Sequence, residues 1–324
     1  GISKFFGPFA ANRQVDFQVM EGEFHALLGE NGAGKSTLMN ILSGRYRPDR
    51  GTIRLHGKEV SFRSPSEALK HRIGMVYQNF KLIENLTVFE NILLGYARLF
   101  KGKEIKKRIA GYFQTSSFRK EAMDRIVSIS HSYGLKVDPS SYVWQISMGE
   151  RQRVEIVKVL CLDATLLVLD EPTAVLTPQE SDSLFYTLQK LKESGSTIIF
   201  ITHKLREVNL HAQRVTIMRK GRVVGTYPTR ELNAQRMASL MVGEEFDGSL
   251  SMDTPSSGET GRKISLEIRS ISCRGEKGVD VLDGLSLEAQ AGEILGVAGI
   301  AGNGQEAIDR KSTRLNSSHG KLTR

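Results

Sequence analysis

The stretch Gly29–Thr37 constrains the fold of this 324-residue chain more than any other part of the sequence. Residues 13–28 alternate apolar and polar side chains and then become apolar, which predicts a strand, and Ser36–Leu42 predicts a helix. Glycines in a strand–turn–helix allow backbone N–H groups to face an anion at the helix N-terminus. We therefore predict that the following residues bind the phosphates of a nucleotide: Gly29, Glu30, Asn31, Gly32, Ala33, Gly34, Lys35, Ser36 and Thr37.

Two side chains of this glycine loop carry specific chemistry. In a loop of this spacing the Lys35 ammonium reaches the β- and γ-phosphates, and the Ser36 hydroxyl is a ligand for Mg²⁺. ATP and Mg²⁺ are therefore the expected ligands. A glycine turn without a ligand is the alternative, and the next motif argues against it.

That motif is the apolar run Leu166–Leu169, which is followed by the two carboxylates Asp170 and Glu171. In an open α/β sheet, ligands lie at the C-terminal ends of the strands. We expect Asp170 to hold Mg²⁺ through water and Glu171 to act as general base toward an attacking water. An isolated Asp-Glu pair would more simply cap a helix, but this pair follows the glycine loop by about 135 residues.

Alternating strand and helix patterns continue along the chain. Thr197–Thr202 is a further apolar run of strand length, and residues 87–135 are rich in helical patterns. Gly51–Phe62 predicts a hairpin that turns at Gly57–Lys58, and Val215–Gly225 predicts a second hairpin. The expected fold class is α/β, with a mainly parallel core sheet and a helical insertion.

The stretch Ser147–Glu150 precedes an amphipathic helix predicted over Glu150–Leu162. Together with the two motifs above, it resembles the signature of the ABC ATPase family, Leu-Ser-Gly-Gly-Gln. Ser147 and Gly149 keep the signature positions, whereas Met148 and Glu150 depart from them. The resemblance implies a P-loop NTPase fold of ABC type, with an antiparallel β subdomain and a helical subdomain. It also implies that these four residues contact the nucleotide held by an opposite domain, although Ser147 alone would predict a helix cap.

Three further positions acquire roles from the same resemblance. Gln78, after the predicted strand Ile73–Tyr77, would sense Mg²⁺ and the attacking water; otherwise it is a polar loop residue. His203, after the run Thr197–Thr202, would bond the γ-phosphate, although a lone histidine is more often structural. Phe6 would stack on adenine.

Two of these assignments leave alternatives open. Phe5 and Phe9 compete with Phe6 for the adenine-stacking position. Thr177 stands where the family usually has Asp in its D-loop, which puts a role for Thr177 in communication between domains in doubt.

An internal repeat of about one domain length follows. Val281–Gly296 resembles Val15–Gly29, and both reach Gly-Glu, an apolar run and a glycine. The second glycine loop has Gln305 in place of Lys and Glu306 in place of Ser or Thr, so it supplies no positive charge to phosphates. The predicted organisation is a first ABC domain over residues 1–242, a Gly/Ser-rich linker over 243–262, the N-terminal part of a degenerate second ABC domain over 263–308, and a tail over 309–324.

The tail has an unusual composition. Residues 309–319 resemble the in-frame translation of a common sequencing adapter, which predicts a non-native tail; a genuine polar tail is the alternative. Residues 309–324 also carry +4 of the net charge of +9. Because the remaining +5 is ordinary and no aromatic-plus-basic motif accompanies it, we do not expect nucleic acid as the main partner. The absence of an initiator Met predicts that residues are missing upstream.

The resemblance also implies the cellular role. Two ABC domains in one chain without membrane spans are similar to the ATP-binding subunits that energise importers of nucleosides or simple sugars. Expected partners are two integral-membrane permease subunits, docked through residues 79–100, and indirectly an extracytoplasmic solute-binding protein. The expected location is peripheral, on the cytoplasmic face of the inner membrane. A soluble ABC-type ATPase acting on ribosomes or DNA is the alternative, and the sequence does not select the transported solute.

Overall fold

The computed structural model describes residues 1–99, 116–243, 264–274 and 280–298, and Ile308. The chain divides into two compact units, Gly1–Ser249 and Leu250–Arg324. Apart from Gly243, the predicted linker lies outside the described residues, and so do the second glycine loop and the tail over 309–324.

The first unit alternates strands and helices as the sequence predicts. Its strands are β1 Ile2–Phe6, β2 Phe9–Val15, β3 Phe24–Leu28, β4 Ile53–Leu55, β5 Lys58–Val60, β6 Ile73–Val76, β7 Leu166–Asp170, β8 Thr197–Thr202, β9 Arg214–Arg219 and β10 Arg222–Pro228. Its helices are α1 Lys35–Leu42, α2 Pro65–Lys70, α3 Val88–Leu99, α4 Ser116–Tyr133, α5 Met148–Cys161, α6 Pro178–Glu193, α7 Leu205–His211 and α8 Ala234–Val242.

A six-stranded sheet forms the centre of the first unit, in the order β10-β9-β3-β8-β7-β6. All neighbours pair in parallel except β10, which joins the edge antiparallel to β9. Strands β3 and β8 are buried along their whole length. Continuous burial explains their mostly apolar sequences, because helices cover both faces of a parallel sheet. The predicted mainly parallel core is confirmed.

Two antiparallel hairpins of the first unit lie outside the six-stranded sheet. Strand β1 pairs with β2, and β4 pairs with β5. The turn predicted at Gly57–Lys58 is wrong by one residue, because Lys58 already pairs with Leu55. His56 and Gly57 form the turn instead, with φ of 48° and 78°, the left-handed values that a two-residue hairpin turn requires.

The single strand predicted over residues 13–28 is also wrong. Residues 13–15 belong to β2, and β3 begins only at Phe24. The two strands belong to different sheets, with a turn at Gly22 (φ 69°) just before β3. An alternating pattern alone could not distinguish one long strand from two strands that join different sheets.

Helices α3 and α4 form the predicted helical insertion and pack against α5. Their buried faces share one core with the sheet, to which Ile92, Ile126 and Ile156 contribute. Helix α5 begins two residues before the predicted start, because Ser147 caps it. Among the described residues, no helix is both long and apolar enough to span a lipid bilayer.

The parallel sheet gathers the predicted site residues at one edge. Gly29 follows β3, Gln78 lies two residues after β6, Glu171 follows β7 and His203 follows β8. Since the strands are parallel, their C-terminal ends lie together, which is where ligands bind in open α/β sheets.

The described part of the second unit contains one antiparallel hairpin, formed by β11 Ile264–Arg274 and β12 Asp280–Gln290. Its register repeats that of β1 and β2 in the first unit. The matching pairs are Ile271–Leu285 with Ile2–Val15, and Cys273–Leu282 with Lys4–Asn12.

Local irregularities repeat as well. Gln14 and Gly284 both have left-handed backbones, with φ of 46° and 60°. The Gln14 N–H donates to the hydroxyl of Ser3 at 3.0 Å, and the Gly284 N–H donates to that of Ser272 at 2.9 Å. A bulge of this kind is a specific feature of a strand pair, and both hairpins contain it.

The turns after the two hairpins are also alike. Gly22 and Gly292 have φ of 69° and 77°. Glu23 and Glu293 each accept, through Oε2, the N–H of the residue three positions earlier, at 2.6 and 2.7 Å. The Gly-Glu pairs of the two similar stretches, Gly22–Glu23 and Gly292–Glu293, thus have the same backbone and hydrogen-bond geometry.

Candidate nucleotide-binding site

The glycine loop runs from the end of β3 to the start of α1. Gly34, immediately before α1, has φ of 95°, and a Cβ there would lie 2.3 Å from the Ala11 carbonyl oxygen. The Asn12 side-chain amide donates to the Gly34 carbonyl at 3.1 Å. Only glycine satisfies both the left-handed backbone and this close approach. The loop is thus fixed with the N-terminus of α1 behind it, an arrangement that favours a bound anion.

Lys35 folds back over the loop. Its Nζ donates to the carbonyls of Gly29 at 2.7 Å and Glu30 at 2.9 Å. Burial lowers the pKa of Lys35, and the charges of Glu171 and Asp170 oppose that shift. Lys35 therefore supplies a buried cation, 5% exposed, close to the carboxylates of Asp170 and Glu171 at the end of β7.

Ser36 and Asp170 lie next to each other, as the sequence predicts. The Ser36 hydroxyl donates to Oδ1 of Asp170 at 3.2 Å. Burial raises the pKa of Asp170, against the opposing effect of the Ser36 hydrogen bond. A hydroxyl and a buried carboxylate are hard oxygen donors, and Mg²⁺ in nucleotide sites takes one or two such ligands besides phosphates and water. The donor set fits Mg²⁺.

Two predicted residues contact the Glu171 carboxylate. Gln78 donates from Nε2 to Glu171 Oε2 at 3.1 Å, and His203 Nδ1 lies 3.2 Å from Oε1. The Glu171 backbone has φ of 45°, and its N–H donates to the Ile201 carbonyl at 3.1 Å. A non-glycine residue in the left-handed region is uncommon, so the surrounding contacts hold the Glu171 backbone in an otherwise unfavourable conformation.

The remaining loop residues have ordinary surroundings. Asn31 and Gly32 are exposed, whereas Ala33 is buried. The Ala33 carbonyl accepts the N–H of Gly221, in the turn between β9 and β10, at 3.1 Å. Thr37 lies half-buried in the first turn of α1.

The predicted signature residues lie at the N-terminus of α5. Ser147 and Glu150 cap each other, with hydrogen bonds of 2.8 and 3.3 Å, and Met148 is 49% exposed. A Cβ at Gly149 would lie 2.4 Å from the Glu180 carboxylate. Within the described residues, none of the four hydrogen-bonds to the glycine loop of its own unit, so the structure does not bring the signature and that loop together.

Thr177 has a local role. It caps α6, exchanging hydrogen bonds of 3.0 and 3.3 Å with Glu180. Because Glu180 also packs against Gly149, the cap joins the start of α6 to the signature.

Phe6 lies on the exposed side of β1. It is 44% exposed, and its ring meets the edge of Tyr46 at 5.5 Å between centroids, with Lys4 at 5.7 Å. Phe5 and Phe9 are exposed as well, at 41% and 61%. Solvent exposure therefore does not distinguish the three candidates for the adenine-stacking position. Phe6 differs from the other two in its ring contact with Tyr46.

Two residues outside every sequence motif contact the loops of the site. Asn12 is fully buried beneath the glycine loop, and Glu207 accepts hydrogen bonds from Thr173 and Thr202. Neither position belongs to a spacing pattern, so only long-range contacts identify them.

The core sheet, the glycine loop after β3 and the carboxylate pair at the end of β7 define a P-loop nucleotide-binding cassette. Residues 12–174 match the family described as ABC transporter. The chain belongs to this family.

Solved structures agree with the fold. CbiO1 from Clostridium perfringens, described as part of an ABC transporter complex, is 27% identical, has a TM-score of 0.59 and covers 73% of this chain and 90% of its own. MJ1267, described as an ATP-binding cassette of an ABC transporter, is 25% identical with a TM-score of 0.64, over 74% of this chain and 92% of its own.

Three curated relatives resemble the chain over nearly its whole length. The nucleoside import ATP-binding protein NupA of Lactococcus lactis subsp. cremoris (strain MG1363) is 43% identical over 97% of this chain and 59% of its own. The glucose import ATP-binding protein TsgD13 of Haloferax volcanii is 40% identical over 99% and 61%. The guanosine import ATP-binding protein NupO of Bacillus subtilis (strain 168) is 43% identical over 97% and 58%. The chain spans about three fifths of the length of these relatives.

Proposed function

We propose that this chain binds and hydrolyses ATP and thereby energises an importer of nucleosides or simple sugars. The observation that carries the proposal is the convergence of Gln78 and His203 on the Glu171 carboxylate, beside Lys35 and Asp170. Such a cluster, at the end of parallel strands and next to a glycine loop, is suited to phosphoryl transfer to water.

In this proposal the glycine loop binds the phosphates through its N–H groups. Lys35 neutralises the β- and γ-phosphates, and Phe6 stacks on the adenine. The hydrogen bonds of Lys35 to Gly29 and Glu30 hold its ammonium at the loop, which supports the first role.

Ser36, Asp170 and Gln78 would hold Mg²⁺, with Asp170 acting through water. Bound there, the ion would neutralise charge on the phosphate oxygens. The chain itself supplies Asp170 as a buried carboxylate. Burial raises its pKa and so disfavours its ionised form, and a neighbouring cation would offset this effect and stabilise the ionised form.

Glu171 is the proposed general base. Its carboxylate would accept a proton from water as the oxygen attacks the γ-phosphorus, and His203 would bond the γ-phosphate. The contacts from Gln78 and His203 orient the carboxylate before the reaction, which lowers the entropic part of the barrier.

We propose two integral-membrane permease subunits as direct partners and an extracytoplasmic solute-binding protein as an indirect one. The chain would lie on the cytoplasmic face of the membrane. The predicted docking segment, residues 79–100, begins beside exposed apolar side chains: Ile83 is 50% and Trp144 is 56% exposed, and the Trp144 N–H donates to the Glu84 carbonyl at 3.3 Å. Exposed apolar groups of this kind are typical of protein interaction sites.

We also propose that residues 263–308 begin a degenerate second ABC domain. The shared register, bulge and turn of the two hairpins support this. The signature at Ser147–Glu150 would then face the degenerate site, whereas the site of Lys35 would require a signature from the second domain. Residues 1–308 alone should accordingly bind Mg-ATP weakly and turn it over slowly.

The relatives' names, which refer to nucleoside, glucose and guanosine import, favour import over an action on ribosomes or DNA. The relatives named for nucleoside and guanosine import are each 43% identical, whereas those named for glucose or ribose import are 35–40% identical. This difference in identity favours a nucleoside as the solute.

The test is ATP hydrolysis by the product of the intact gene, so that a second-domain signature is supplied, assembled with the permeases and the solute-binding protein encoded beside it. The solute-binding protein is loaded in turn with ribose, galactose, adenosine and uridine. We expect stimulation by a nucleoside; stimulation by sugars alone would reassign the solute. No hydrolysis in the complete assembly with any solute would refute the proposal.

A further inference from the structure

Glu207 lies in the first turn of α7 and is not part of any predicted motif. Its side chain is 12% exposed. Oε2 accepts the hydroxyl of Thr202 at 2.9 Å, and Oε1 accepts the hydroxyl of Thr173 at 2.5 Å. Both threonines are 2% exposed. One carboxylate therefore joins the loop after β7 to the end of β8.

Lys204 closes the same cluster. Its Nζ donates to both the carbonyl and the hydroxyl of Thr173, each at 3.0 Å, and lies 3.3 Å from Glu207 Oε1. Its backbone N–H donates to the Thr202 hydroxyl at 3.0 Å. Because donors or acceptors in this cluster are ionised, its hydrogen bonds are stronger than those between neutral groups.

The two segments joined by Glu207 carry the centre of the candidate site. Thr173 follows Glu171 by two residues, and Thr202 directly precedes His203. Glu171 has a left-handed backbone with φ of 45°. A strained conformation of this kind persists only where surrounding contacts enforce it, and Glu207 supplies such contacts next to it.

We propose that Glu207 is a positioning residue for ATP hydrolysis. By bonding Thr173 and Thr202 together, it sets the 3.2 Å contact between Glu171 and His203. It touches neither of those side chains among the described contacts, and acts through the two loops. This inference rests on the proposed ATPase function.

The test compares Glu207→Ala, Glu207→Gln and the control Glu193→Ala with the wild-type 324-residue chain. Glu193 is an exposed helical carboxylate that accepts a hydrogen bond from Gln189 at 3.0 Å. It therefore carries the same functional group as Glu207 but lies outside the candidate site. Hydrolysis of radiolabelled ATP is followed with the protein in excess, which detects slow turnover. ATP affinity and melting temperature are measured on the same samples.

We expect Glu207→Ala to lower the hydrolysis rate about tenfold or more, since small misplacements of a reacting group have large effects. ATP affinity should stay within about twofold of the wild type, because the contacts of Lys35 with the glycine loop are untouched. Glu207→Gln keeps one acceptor oxygen and should recover part of the rate. Glu193→Ala should match the wild type.

A second measurement does not depend on turnover. Hydrogen–deuterium exchange in Glu207→Ala should accelerate over residues 171–177 and 201–204, with no change over residues 29–37. Unchanged exchange in the first two segments, or wild-type hydrolysis by Glu207→Ala, would overturn the positioning role alone. Loss of rate, affinity and melting temperature together would show a merely structural residue. Failure of the wild-type chain to bind or hydrolyse ATP at all would instead refute the proposed function, and this role with it.

Discussion

Gln78 donates a hydrogen bond from Nε2 to Oε2 of Glu171 at 3.1 Å, although 93 positions separate the two residues in the chain. The other oxygen of the carboxylate lies 3.2 Å from Nδ1 of His203. Both oxygens are thus occupied by groups from the neighbouring strand ends. This arrangement leaves the Glu171 side chain only 16% exposed and gives it one defined orientation at the edge of the sheet.

Replacing Glu171 with Gln should separate ATP binding from ATP hydrolysis. The amide can still interact with Gln78 and His203, but it cannot accept a proton from water. We expect the hydrolysis rate to fall by about 100-fold or more, with ATP affinity within about threefold of the wild type. Single-turnover assays and calorimetric titration measure the two quantities. Hydrolysis at the wild-type rate would exclude Glu171 as the base.

Replacing Phe6 with Ala should weaken binding of ATP about tenfold, the effect of losing one aromatic–base stacking contact. Affinity for inorganic tripolyphosphate should not change, because it has no base to stack. Phe5→Ala and Phe9→Ala are the matched controls, since both side chains are also exposed. A selective loss of ATP affinity in Phe5→Ala would transfer the stacking role to Phe5.

Asp170→Asn should stabilise the ligand-free chain at neutral pH. Burial raises the pKa of Asp170 above its ordinary value of 3.8. The folded state then binds this proton more tightly than the unfolded state, so protonation of Asp170 increases the free energy of unfolding. This increase is fully present below pH 3.8 and is lost as the pH rises through the folded-state pKa of Asp170. The melting temperature of Asp170→Asn should exceed that of the wild type at pH 7, and the difference should shrink on acidification. A lower melting temperature at pH 7 would contradict this account of the site.

Gly34→Ala and Gly32→Ala form a pair that isolates steric contact from backbone strain. Both glycines have positive φ, 95° and 83°, but a Cβ at Gly34 would lie 2.3 Å from the Ala11 carbonyl, whereas one at Gly32 would meet nothing within 4 Å. We expect Gly32→Ala to lower the free energy of unfolding by about 1 kcal/mol. Gly34→Ala should lower it by about 2 kcal/mol more, because the loop must move.

Urea denaturation measures both variants against the wild type. Gly34→Ala should also bind ATP more weakly, because displacement of the loop moves the N–H groups at the start of α1. Equal stabilities of the two variants would show that the loop can relax away from Ala11.

Local pattern was sufficient for most of the fold. The apolar runs at Leu166–Leu169 and Thr197–Thr202 predicted buried parallel strands, and the helix predicted over Ser36–Leu42 differs by one residue from α1, Lys35–Leu42. These predictions succeed because continuous burial and helical periodicity produce recognisable patterns of apolar residues within a short stretch of sequence. The division of residues 13–28 between two sheets produced no recognisable sequence pattern.

The sequence by itself determined the glycine loop, the carboxylate pair at the end of β7 and the buried strands β7 and β8, because each depends on residues close together in the chain. Only the tertiary structure decided that Gln78, Glu171 and His203 meet, that Asn12 supports Gly34, and that Glu207 joins the loops after β7 and β8. Those contacts depend on which strands become neighbours in the sheet. Strand order is set by the packing of the whole core and not by any one segment.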